Sequence, residues 1–111
     1  MTSDTGVIYI EIEAGSGAQP VDGDSVKVHY EGTLRDGTVF DSSIARGEPA
    51  TFQVDGVVPC FSEGLKKMKA GGKARLVCPP EQAYGNRGTP RIPPGATLSF
   101  EVQLLEVTGS N

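Results

Sequence analysis

The side chains able to do chemistry in this chain are few: one histidine, His29, two cysteines, Cys60 and Cys78, and an acid, Asp41, directly after Phe40. A Cys/His nucleophilic pair needs the imidazole within hydrogen-bond reach of the thiol. Alternation works against it. In Val26-Lys27-Val28-His29-Tyr30-Glu31, His29 falls on the strand face opposite Tyr30, toward solvent, whereas Cys78 falls with Ala74 and Leu76 toward the core. The cysteines have neither paired metal-ligand spacing nor a histidine cluster beside them, so no metal site is expected. A disulfide between them depends on geometry, and free thiols are the favoured reading. Gly85-Asn86-Arg87-Gly88 precedes no helix and is followed by no Lys-Ser/Thr pair, which argues against a phosphate cradle. Paired-carboxylate hydrolysis needs a second acid beside Asp41, and Glu48 and Asp55 are near it only in sequence.

What the residues do assemble is an apolar cup. Tyr30, Phe40, Phe52, Phe61 and Phe100 all point inward by their local periodicities. Val57 and Val58 lead into a helix, and Tyr84 and Ile92 sit on a long loop; Phe52 is read as core. An acid beside an inward aromatic needs partners to stay charged, and Arg46 is the candidate for Asp41.

The elements that position these residues follow from pattern. Residues 7–13, rich in β-branched and aromatic side chains, read as a first strand, and Ala14 to Asp24 as a loop. A long strand, Ser25 to Leu34, turns at Asp36-Gly37 into Thr38 to Ser42. Ser43 to Ala50 has no periodicity and leaves the sheet, which resumes at Thr51 to Val54. Between Pro59 and Lys69, Phe61, Leu65 and Met68 recur at helical spacing with the lysines outward. Pro59 suits a first helical turn, and Gly71-Gly72 ends the segment. Gly64 inside this helix costs up to about 1 kcal/mol relative to Ala, which points to something packed tightly against it. Strands at Lys73 to Cys78 and from Leu98 onward flank a loop, Gln82 to Ala96, long enough to suggest function. The sum is an α+β arrangement, a mostly antiparallel sheet of about five strands crossed by one short helix.

A length of 111 residues fits one domain over the whole chain, with a core of about residues 6–107 between short polar termini. The net charge of −4 argues against a nucleic-acid surface. The polar start, Met1 to Gly6, has no apolar run, so neither a signal peptide nor a membrane span is expected in this chain.

The motifs Val28-His29-Tyr30-Glu31-Gly32-Thr33-Leu34, Phe40-Asp41-Ser42-Ser43, Ala83-Tyr84-Gly85 and Ile92-Pro93-Pro94-Gly95-Ala96-Thr97-Leu98-Ser99-Phe100 resemble the FKBP-type peptidyl-prolyl cis-trans isomerases. The resemblance runs from about Gly6 to Val107, in the family's order and spacing. Arg46-Gly47-Glu48-Pro49 and the run Phe52 to Pro59 resemble its bacterial FkpA/Mip-like branch. The resemblance implies an antiparallel half-barrel of five to six strands wrapped around one short helix. It implies an enzyme without cofactor, with Asp41, Tyr84, Phe61 and Phe40 as catalytic residues and Tyr30, Arg46, Val57, Val58, Ile92 and Phe100 as substrate-binding ones. The Val58 amide and Tyr84 hydroxyl would donate to substrate carbonyls.

The partners it implies are proline-containing peptides or unfolded protein clients, and tacrolimus- or rapamycin-like macrolides, with neither nucleic acid nor membrane among them. The expected setting is cytoplasmic or periplasmic, and periplasmic if the branch resemblance carries over. The chain departs from the family pattern at the pocket floor, Phe61 in place of Trp, and at Cys60, where Gly is common. Ala50 replaces an excursion aromatic and opens one rim; the long loop is a residue shorter, with Thr89 and Arg91 at altered positions. A module that grips proline segments with little turnover is the alternative, since binding and catalysis use the same pocket residues.

Overall fold

Val26, Val28 and Tyr30 alternate with polar neighbours along β2 (Ser25–Thr33), and in the computed structural model this strand is the hub of the sheet. The structure describes residues 6–85, 87–90 and 92–108. The polar stretch Met1 to Thr5 and Arg91 lie outside the described residues.

Six strands form one antiparallel sheet in the order β1 (Ile8–Glu13), β5 (Lys73–Cys78), β6 (Leu98–Thr108), β2, β3 (Val39–Ser42), with β4 (Ala50–Gln53) also on β2. One edge of β2 pairs with β6 from Ser25 to Thr33. Its other edge is shared: β4 takes Ser25 to Val28, and β3 takes Glu31 to Thr33. The chain between β3 and β4 must therefore leave the sheet and return.

That excursion starts with an element the residue pattern did not suggest, the four-residue helix α1 (Ser43–Arg46). Four residues are too few to show a helical period. The local chemistry is clear in hindsight: the Ser42 hydroxyl accepts from the Ala45 N–H, and Gly47 closes the turn in the left-handed region at φ 78°. The Ser43 hydroxyl of α1 covers His29, whose Nδ1 lies 3.0 Å from it. His29 is consequently part-buried rather than facing open solvent.

Helix α2 (Pro59–Lys67) lays Cys60, Phe61, Gly64 and Leu65 on the sheet, with Pro59 in its first turn. It ends at Lys67, two residues before the expected end. Beyond it, Ala70 exchanges hydrogen bonds with Gly17 and Ala18 at 3.0 and 2.9 Å, so the loop after β1 claims the backbone that would have continued the helix. Gly64 has the tight neighbour its helical cost suggested: a Cβ there would lie 2.5 Å from the Leu76 methyl carbons.

The favoured reading of free thiols is overturned. Cys60 and Cys78 form a disulfide with Cα atoms 5.7 Å apart, within the normal range. Their separation in sequence hid the contact, because only the docking of α2 on the inner face of β5 brings them together. Short 3₁₀ turns at Val54–Gly56 and Pro80–Gln82 complete the chain's connections. Among the described residues, no helix is long and apolar enough to cross a membrane.

Candidate functional site

Phe61 lies in the first turn of α2, and docking of that helix sinks its ring to 4% exposure. Rings from three strands meet it edge-on: Tyr30 of β2 at 5.9 Å, Phe52 of β4 at 5.7 Å and Phe100 of β6 at 5.2 Å between centroids. Such pairs each contribute about 0.5–1.5 kcal/mol beyond their buried area. Phe40 of β3 meets Phe100 at 5.6 Å and lies over Gly32, where a Cβ would come within 2.5 Å of its ring. Only a glycine at that point of β2 lets the Phe40 ring settle into the wall.

These rings face a hollow of about 300 Å³, at the small end of ligand sites. Tyr30, Phe40, Asp41, Phe61 and Phe100 line it, as do Val57 and Val58 ahead of α2 and Tyr84 from the loop after β5. Of the residues expected at the site, two stand outside this lining. Arg46 reaches the site through Asp41, and Ile92 is buried in the long loop, where its N–H bonds the Thr89 hydroxyl at 3.1 Å. Two lining residues were not among the expected site residues: Phe52, placed in the cup but read as core, and Gly56. Phe52 was visible as an inward residue, but inward alternation is the same for a core wall and a pocket wall. Gly56 carries no side-chain signal.

The lip carries the polar chemistry. The Tyr30 hydroxyl donates to Asp41 Oδ2 at 2.5 Å, and Arg46 donates through one nitrogen to Asp41 Oδ1 and through the other to the Tyr30 hydroxyl at 3.3 Å. The guanidinium also stands 5.8 Å from the Tyr30 ring centroid, within cation–π range. α1 makes this possible by carrying Arg46 back over β2. Its junction is fixed by the fully buried Ser43, whose hydroxyl accepts the Tyr30 N–H at 2.8 Å.

Burial pushes the Asp41 carboxyl up, but hydrogen bonds from Tyr30 and Arg46, and the Arg46 charge, outweigh it and hold the group below the ordinary carboxylate value. The Tyr30 hydroxyl is raised, by burial first and then by its bond to Asp41. Asp41 is thus an anchored anion, unsuited to releasing and accepting protons near neutrality. The site offers an apolar receptacle with fixed polar groups at its lip. Among the described residues, no cluster of His, Cys, Asp and Glu side chains is grouped to hold a metal ion.

Known proteins resemble this chain in sequence and in fold. Residues 16–105 match the family model described as FKBP-type peptidyl-prolyl cis-trans isomerase. The chain is 57% identical over 106 residues to the FKBP-type peptidyl-prolyl cis-trans isomerase FkpA of Escherichia coli strain K12, covering 96% of this chain and 39% of that protein. It therefore spans well under half the length of that relative. It is 48% identical over 106 residues to FK506-binding protein 1 of Rhizopus delemar, covering 92% of this chain and 98% of that one. The crystal structure of FkpA from Escherichia coli superposes with a TM-score of 0.98 at 54% identity, over 100% of this chain and 52% of that one. On its sequence match and its sheet-and-helix architecture alike, the chain belongs to the FKBP-type peptidyl-prolyl cis-trans isomerase family.

Proposed function

We propose that the protein accelerates rotation about Xaa–Pro peptide bonds, with the hollow over Phe61 holding the prolyl ring. The observation that carries this reading is the aromatic hollow with an anchored carboxylate at its lip. Rotation about an amide is slow because resonance is lost on twisting, at a cost of ~18–20 kcal/mol. The twisted carbonyl oxygen carries less charge than the planar one. Apolar walls that strip water from that oxygen therefore disfavour the planar ground state more than the twisted transition state. A 10⁴-fold acceleration requires ~5.5 kcal/mol. Desolvation, ring packing and one or two hydrogen bonds can supply that together.

In this reading Phe61 is the floor, with Phe40, Phe52 and Phe100 as walls. The Val58 amide and Tyr84 hydroxyl donate to substrate carbonyls, while Tyr30 and Arg46 hold Asp41 as an orienting charge. The substrates are proline-containing peptides and unfolded chains, and macrolides of the FK506 class would compete for the same hollow. The Cys60–Cys78 disulfide favours an oxidising compartment, the periplasm for a bacterial protein.

NMR exchange between cis and trans forms of an Xaa–Pro peptide, with catalytic amounts of protein, tests the assignment. Acceleration by the parent and a several-fold decrease in Tyr84→Phe are expected. Binding of the peptide without any acceleration would leave a proline-gripping module instead of an enzyme.

A further inference from the structure

Helix α2 touches β5 at two successive points. Gly64 rests directly on the Leu76 side chain, and one helical turn earlier Cys60 is bonded to Cys78. β5 is clamped in the sheet between β1 and β6, so the start of the helix is the side free to shift. Phe61 follows Cys60 in that first turn, and Val58 is the residue that leads into it. Across the bond, Cys78 leads through Pro79 to Pro80, whose carbonyl accepts from the Ala83 and Gly85 N–H groups at 3.0 and 2.8 Å, bracketing Tyr84. One covalent bond therefore joins the segment that carries the floor ring to the segment that carries the rim tyrosine.

Both cysteines are fully buried. Non-bonded heavy atoms rest roughly 3.5–4 Å apart, against about 2 Å for bonded sulfurs. An interior packed like an organic crystal has little slack for that difference. Two thiols in this place would push the first turn of α2 off β5, with Gly64 on Leu76 as the pivot. The Phe61 ring would then lose its edge contacts with Tyr30, Phe52 and Phe100.

We propose that the Cys60–Cys78 disulfide is a positioning element of the prolyl site, setting the Phe61 floor relative to Tyr84 as well as stapling the fold. The inference rests on the reading of the hollow as a prolyl site. Two forms of the protein test it. One is the Cys60→Ala/Cys78→Val double variant, which removes the bond with little change of volume. The other is the parent reduced with a phosphine, where phosphine and water become phosphine oxide as the disulfide takes up two electrons and two protons to give two thiols.

At 10 °C, far-UV circular dichroism reports the fold, peptide exchange at several peptide concentrations separates kcat from KM, and NOEs from the Phe61 ring report its neighbours. In the reduced parent, kcat is expected to fall at least fivefold with KM changed less than twofold, and the Phe61–Phe100 NOEs to weaken. The double variant, with no sulfur repulsion, should recover part of that but stay at least threefold below the parent. A kcat within twofold of the parent in a folded, disulfide-free form, with NOEs unchanged, overturns the proposal. Unfolding of both forms overturns it too, since the bond would then hold the fold rather than the floor. An oxidised parent that gives no acceleration refutes the isomerase reading instead.

Discussion

Asp41 accepts from two donors at the lip, and its charge sets how the site behaves with pH. Its folded value lies below the unfolded one, near 3.9, so its contribution to stability is present above that pH and is lost as pH falls through the folded value. Tyr30 runs the other way: raised above about 10, it contributes below that pH and loses its contribution as pH rises through the folded value. Peptide exchange is therefore expected to be flat between about pH 5 and 9 and to decline at both extremes. Asp41→Asn should remove the acid-side decline while lowering exchange several-fold at pH 7. Its cost in stability should be small, because the Arg46 and Asp41 side chains are 51% and 36% exposed. A pH–rate profile of both proteins checks this. At this scale the rings that Tyr30, Phe40 and Phe100 bring to the candidate site were legible, because parity along a strand assigns each side chain to a face, whereas Val57, Val58 and Tyr84 lie off the strands, where parity assigns nothing. Parity could not say that Phe52 borders a hollow, since that depends on what stands opposite, and it has no bearing on Ile92, which is spent on its own loop.

β2, β5 and most of β6 were readable because alternation is repeated along them, β1 because of its β-branched and aromatic composition, and α2 because its apolar spacing spans several turns. α1 was not, because its identity lies in a serine cap and a left-handed glycine rather than in any period. Gly64 is the point where a local penalty reveals a packing demand. In Gly64→Ala the new methyl meets the Leu76 side chain, and the gain in helix propensity is smaller than the strain of overpacking, about 1–3 kcal/mol. The expected result is a net loss of stability, read as a lower denaturant midpoint with an unchanged slope. An unchanged or higher midpoint would mean that Leu76 yields freely.

For the molecule as a whole, the disulfide adds a constraint that no reading of faces could supply, since the two cysteines meet only after helix and sheet have docked. Its sequence separation is 18 residues, and closing a loop of that size stabilises by about 3 kcal/mol in the chain-entropy view. Reduction should lower the thermal midpoint by roughly 10–25 °C, measured by calorimetry with and without reductant. A shift of under about 3 °C would show that the sheet and its aromatic layer hold the fold unaided.

The longest ladder in the sheet joins residues 25–33 to residues 99–108. A nascent chain that has left the ribosome only as far as Gly95 carries Val26, Val28 and Tyr30 without the strand that flanks them along their whole length. Closure of the sheet must wait for β6, and pairing across so long a stretch of sequence is slow. Until then the edge of β2 that β6 takes is unpaired and open to other chains, which makes the interval before β6 docks a period of exposure to aggregation.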